Sequence, residues 1–170
     1  MENKKNLYQG RAFTLIELLV VVLIIGILTA VGVVAYNGFI NASKVIVTKN
    51  NHNELIKFLK LQLSICELDG KIKLMSDANS LVVNQISCST TGINNLTVYI
   101  VNHFQNLGYK NAFNNQESAI TGIGRPQSKG QTYLGIDGNP SQSEITGRWW
   151  ISTKISDDDK DTIWGFQTRN

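Results

Sequence analysis

The stretch Phe13-Thr-Leu-Ile-Glu17-Leu-Leu-Val-Val-Val-Leu-Ile-Ile-Gly26-Ile-Leu-Thr-Ala-Val-Gly32-Val-Val-Ala35 decides how this chain is built. Residues 18–35 form an apolar run of 18 residues, relieved only by Gly26, Thr29 and Gly32. As an α-helix it spans about 27 Å, close to the ~30 Å hydrocarbon core of a bilayer. Glu17 is the anomaly. A carboxylate near the entrance of a membrane helix costs free energy, up to about 2.5–3.5 kcal/mol if carried to the bilayer centre. Such a group either sits at headgroup level and snorkels or finds a positive partner.

In residues 1–12, Lys4, Lys5 and Arg11 outweigh Glu2. Positive flanks of this kind stay on the cytoplasmic side, which places the rest of the chain beyond the inner face of the membrane. The 170 residues carry 16 Lys and Arg against 13 Asp and Glu, a formal charge of +3. Most of that excess lies in the first twelve residues. The remainder is nearly balanced and argues for neither nucleic acid nor an acidic substrate. Charged residues make up 17%, below the roughly 25% of soluble domains. Apolar content gathers near the N-terminus, while the rest is rich in Asn, Ser, Thr and Gly, which does not fit a uniformly soluble globule. Three Trp, five Tyr and six Phe are more than a disordered chain usually carries.

The residues Phe13-Thr-Leu-Ile-Glu17-Leu-Leu-Val-Val-Val-Leu-Ile-Ile-Gly26-Ile-Leu resemble the N-terminal motif of type IV pilins and pseudopilins. The motif is long, and a chance match to it is improbable. The resemblance implies cleavage by a prepilin peptidase between Ala12 and Phe13, with Phe13 becoming N-methylphenylalanine. It implies that Glu17 pairs with the Phe13 amine of an adjacent subunit. A buried pair of this kind penalises wrong registers, since an unpaired Glu17 would be costly. Two positions depart from the family: Ala12 stands where Gly usually precedes the cut, and Val34 where Pro is frequent. Cutting after Gly10 instead would start the chain at Arg11 and displace Glu17 from its place in the motif. Val33-x-Ala35 also fits an ordinary signal peptidase site, but the placement of Glu17 and the length of the run argue against it.

Residues 37–66 contain no Pro and one Gly, Gly38. Leu55, Ile56, Phe58, Leu59, Gln62, Leu63, Ile65 and Cys66 form a stripe at helical spacing, with Lys57 and Lys60 off it. The apolar helix therefore continues as an amphipathic one over residues 13–66, about 80 Å, and its second half packs on a head. Gly70 is the expected stop. Residues 71–94 are mixed, with a short apolar run Leu81-Val82-Val83. Residues 95–107 read as a helix with Leu96, Tyr99, Ile100, His103, Phe104 and Leu107 on one face; a strand over 97–101 is the alternative. Residues 130–136, 145–155 and 162–168 read as strands of an antiparallel meander, separated by turn clusters at 137–140 and 157–161.

The predicted fold is α+β. A long N-terminal membrane-spanning helix packs its C-terminal half on a small antiparallel sheet, the arrangement of a pilin head. Its parts are a leader, 1–12; a transmembrane or filament-core segment, 13–36; an amphipathic half, 37–66; and a globular head, 67–170.

Cys66 and Cys88 are the only cysteines. With the head outside the cytoplasm a disulfide between them is expected, two free buried thiols being the alternative. Asp157, Asp158, Asp159 and Asp161 crowd one turn. Carboxylates at this density can hold Ca²⁺, and the calcium site in a C-terminal loop of major pseudopilins adds to the idea; an acidic solvated hairpin is the plainer reading. No other cofactor is indicated. His52 and His103, the only histidines, fall in no metal-ligand spacing, and no nucleophile elbow or phosphate loop is present, so a structural subunit is expected rather than an enzyme. Trp149, Trp150 and Trp164 with Arg148 could stack on nucleic acid, but core packing is the stronger reading. The implied partners are copies of the chain or related pilins, the prepilin peptidase, an assembly platform and the inner membrane. The implied location is that membrane before assembly and a pilus or pseudopilus afterwards. Other readings are a pseudopilin of a type II secretion system, a minor pilin whose head binds DNA or a surface, and a monotopic anchored protein.

Overall fold

The computed structural model describes residues 13–122, 125–137, 148–158 and 162–168. Helix α1, Leu15–Asp69, holds 55 residues without a proline. The chain divides within it, into units Met1–Asn41 and Ala42–Asn170. In the first unit every described residue from 13 to 39 is exposed, the whole apolar run included. Leu, Ile, Val and Ala favour or tolerate the helix, and the hydroxyl of Thr29 donates to the carbonyl of Ile25 at 2.6 Å, so no polar side chain interrupts the run. α1 stops where expected. Gly70 takes φ +65°, and its N–H donates to the Cys66 carbonyl at 3.0 Å.

In the second unit α1 buries Thr48, His52, Leu55, Leu59 and Cys66. Ile56, Phe58, Leu63 and Ile65 flank this line half-buried, and Lys57 and Lys60 are exposed. The expected stripe is therefore the packed face, and it extends two turns upstream through Thr48 and His52. These polar residues are buried because each is satisfied. Thr48 Oγ1 donates to the Lys44 carbonyl at 2.9 Å. His52 Nδ1 shares a 2.8 Å hydrogen bond with Thr153 Oγ1, which lies 2.8 Å from Thr132 Oγ1. The chain of two hydroxyls ties the helix to two strands of the sheet.

Strands β1, Lys71–Leu74, and β2, Asn84–Ser87, form an antiparallel hairpin. No strand is expected there from the sequence, and its apolar run Leu81-Val82-Val83 is exposed. The real signal is the alternation Lys-Ile-Lys-Leu, which buries Ile72 and Leu74 and exposes Lys71 and Lys73. Cys88 follows β2, its N–H donating to the Gly70 carbonyl at 2.9 Å. It is disulfide-bonded to Cys66, 22 residues away in sequence. Closing a loop of that size contributes about 3 kcal/mol in the chain-entropy picture.

Helix α2, Ile93–Asn106, settles the ambiguous segment as a helix. Its buried face is Ile93, Leu96, Thr97, Ile100, Val101 and Phe104. Leu107, assigned to that face from its spacing, is instead 53% exposed, because it caps the helix ahead of Gly108 at φ +81°. His103 accepts the Met75 N–H at Nδ1, 3.2 Å away, and stacks on Phe58 of α1 with ring centroids 5.2 Å apart.

The main sheet has the order β3-β4-β5-β6. β4, Thr132–Asp137, β5, Arg148–Lys154, and β6, Thr162–Thr168, are the expected antiparallel meander, with residues 145–147 outside the described set. β3, Ile120–Thr121, adds a short parallel partner to β4. Leu134, Trp149 and Ile151 join the core with α1 and α2, and Trp149 Nε1 donates to Thr97 Oγ1 of α2 at 3.0 Å. On the opposite face Trp150 lies across Gly135, where a Cβ would collide with its ring.

Burial lowers the imidazoles of His52 and His103 below their ordinary value of 6.5. Between the lowered values and 6.5 the unfolded chain binds more protons than the folded one, so stability rises with pH across that window and falls on acidification. Thermal denaturation of the full chain in detergent should show a lower Tm at about pH 5 than at about pH 8, with the difference reduced by His52→Gln.

Candidate functional site

The first turn of α1 is where the sequence concentrated its chemistry. Thr14 is the N-cap. Its N–H and its hydroxyl both donate to Glu17 Oε2, at 2.8 Å each, and Glu17 N–H donates back to Thr14 Oγ1 at 3.3 Å. This is a reciprocal capping box: two helix N–H groups with no intrahelical partner are satisfied by a hydroxyl and a carboxylate three residues apart. The carboxylate also lies at the positive end of the helix dipole. The signal was present as Thr14-Leu15-Ile16-Glu17; a reading of Glu17 through charge alone passes over it.

The arrangement qualifies the expectation of a carboxylate needing a foreign cation. Within one chain Glu17 is held by Thr14, and both bonds fall on Oε2. The other carboxylate oxygen takes no hydrogen bond among the described residues, so the cap and a second, positive partner are compatible. Phe13 directly precedes the cap and is 80% exposed. Ala12 lies outside the described residues.

Behind this cap, α1 is long and apolar enough to cross a membrane, and among the described residues none of its most apolar stretch is buried. A cylinder of exposed Leu, Ile and Val of this extent does not persist in water. It needs lipid or other apolar helices around it.

The remaining sequence-derived sites divide plainly. Cys66 and Cys88 come together in the disulfide. Asp157 and Asp158 are exposed between β5 and β6, with Asp157 Oδ2 lying 3.8 Å from Lys129 Nζ. Asp159 and Asp161 lie outside the described residues. No group of three or more His, Cys, Asp or Glu among the described residues could hold a metal ion. The histidines are apart in role: His52 meets strand hydroxyls and His103 a loop N–H. Trp149 is a core residue, as expected.

Residues 9–33 match the prokaryotic N-terminal methylation motif, the type IV prepilin signature. The capping box and most of the apolar run lie within that match. The chain thus carries the signature of a type IV pilin- or pseudopilin-like precursor, which points to a structural subunit, and its apolar helix fits membrane anchoring before assembly. No curated protein and no solved structure matches the chain.

Replacing the cap hydroxyl tests this geometry. Thr14→Val should weaken the helix start by about 1 kcal/mol. In detergent micelles, amide hydrogen exchange over residues 15–18 should speed up roughly five-fold while exchange in the middle of α1 is unchanged.

Proposed function

We propose that this protein is a type IV pilin-like prepilin, a structural subunit of a helical filament. The observation that carries the reading is an uncovered apolar helix, headed by a carboxylate, under the N-terminal methylation motif. The chain inserts in the inner membrane through α1, with residues 1–12 on the cytoplasmic side. A prepilin peptidase cuts between Ala12 and Phe13 and methylates the new Phe13 amine. With an assembly platform, the chain then leaves the bilayer for a filament of its own copies or of related pilins, as pilus or pseudopilus.

The physical basis is an exchange of solvents. Lipid surrounds residues 18–35 before assembly, and equivalent helices surround them afterwards, so apolar packing alone changes little and specifies register poorly. Glu17 supplies the specificity. Its Oε2 stays on Thr14, while the carboxylate meets the positive Phe13 amine of the neighbouring copy. A register that misses the amine leaves a carboxylate in apolar surroundings.

Mass spectrometry of the native protein tests the processing. The expected mature chain begins at N-methylated Phe13; a chain beginning at Tyr36 would overturn the reading. For the pairing, Glu17→Ala should leave insertion and cleavage intact and abolish filaments visible by electron microscopy. Normal filaments from that variant would show that the charge pair is not used.

A further inference from the structure

The last turns of α1 and the β1–β2 hairpin enclose an open groove of about 670 Å³, lined by Gln62, Ile65, Asp69, Lys71, Lys73 and Gln85. The pleat sends Ile72 and Leu74 inward, so both lysines stand exposed on the same side of β1. Lys73 pairs in register with Gln85 of β2. Among the described residues neither lysine forms an ion pair. The groove thus presents two ammonium groups against one carboxylate, two amides for hydrogen bonding and the half-buried Ile65.

The other end of the same unit has the complementary charge. Asp157 and Asp158 are exposed between β5 and β6, in the sequence Asp157-Asp-Asp-Lys-Asp161. Their position follows from a chain of contacts. Asp157 lies 3.8 Å from Lys129 Nζ. Lys129 Nζ is 4.7 Å from the centre of the Phe113 ring, and Lys44 Nζ is 5.7 Å from it. Lys44 is on α1, about six turns or about 30 Å before Ile65, and the side-chain contacts that link it to Asp157 together span less than that distance. An aspartate side chain reaches only a few Å, so the acidic turn cannot fill the groove of its own chain.

We propose that Asp157 and Asp158 of one copy dock on Lys71 and Lys73 in the groove of the next copy. The inference rests on the filament-subunit reading and names a contact within it. Because the two surfaces differ and lie at opposite ends of the unit, the contact is heterologous: each docked copy offers a further free groove, so the arrangement propagates instead of closing as a two-fold dimer. The ion pair of Asp157 with Lys129 does not prevent it, since the Asp157 side chain remains 90% exposed. Exposed charge pairs select and orient partners more than they hold them. The contact therefore sets the axial register of the globular units, while the apolar helices supply cohesion.

The test uses the full chain with its assembly machinery. Lys71→Glu with Lys73→Glu should lower filament yield about tenfold, as should Asp157→Lys with Asp158→Lys, and the four changes together should restore it to within about twofold. Normal assembly by both charge-reversed pairs, or a four-fold variant as defective as either pair, would overturn the contact. A measurement independent of charge reversal is cross-linking. Lys73→Cys with Asp158→Cys in an otherwise unchanged chain should give intermolecular disulfide ladders in assembled filaments, and filaments without ladders would also overturn it. Failure of the parent chain to form any filament strikes at the subunit reading itself, and this contact falls with it.

Discussion

Residues 18–43 hold no charged side chain, and the apolar side chains from residue 13 to residue 39 are exposed among the described residues. Everything else answers to that constraint. The hydrophobic effect makes such a helix intolerable in water and comfortable in lipid or among like helices. Under the proposed assembly, a helix that moves between those two surroundings cannot rely on greasiness to choose its final place, because both are equally apolar. Specific polar contacts have to make the choice. The one at hand is the first turn, where Thr14 and Glu17 satisfy each other and leave a carboxylate at the mouth of the apolar segment.

The second half of α1 is held by a different logic. Leu55 and Leu59 are fully buried, and each such side chain contributes about 1.5–3 kcal/mol on burial. Hydrophobic contact, however, tolerates sliding along a helix. The contacts that pin the helix are directional: His52 to Thr153 and on to Thr132, and the Cys66–Cys88 bridge. Buried polar groups specify a position because any displacement leaves them unpaired in a low dielectric. Among the described residues Ser152 Oγ is the exception, buried without a hydrogen-bond partner.

Charge is distributed by place more than by amount. The formal +3 is mostly the excess of Lys4, Lys5 and Arg11 over Glu2, the kind of flank that the positive-inside rule reads as an orientation signal. What remains is nearly neutral in sum: Asp157 and Asp158 are exposed between β5 and β6 with Lys129 beside Asp157, and Lys71 and Lys73 stand on one side of β1. Where the charges stand matters for association through local fields.

By itself the sequence determined the apolar helix, its amphipathic continuation, the stop at Gly70, the helix before Gly108 and the three long strands. These are features of period and punctuation, carried by neighbours in the chain. It also determined the methylation motif, because that signature is contiguous. Only the tertiary structure decided the rest. His52 is buried because a hydroxyl arrives from a strand about a hundred residues away, and no local pattern marks a polar residue whose partner is distant. The β1–β2 hairpin has strands of four residues, too short to outweigh the exposed Leu81-Val82-Val83 beside it. Leu107 had the right spacing for the packed face but lay at the position where the helix ends. Cys66 and Cys88 could be counted in the sequence, yet their pairing depended on the Gly70 turn bringing the end of β2 back to α1. The opposite placement of the acidic turn and the lysine groove was likewise invisible, since sequence order says nothing of which ends of a fold the charges occupy.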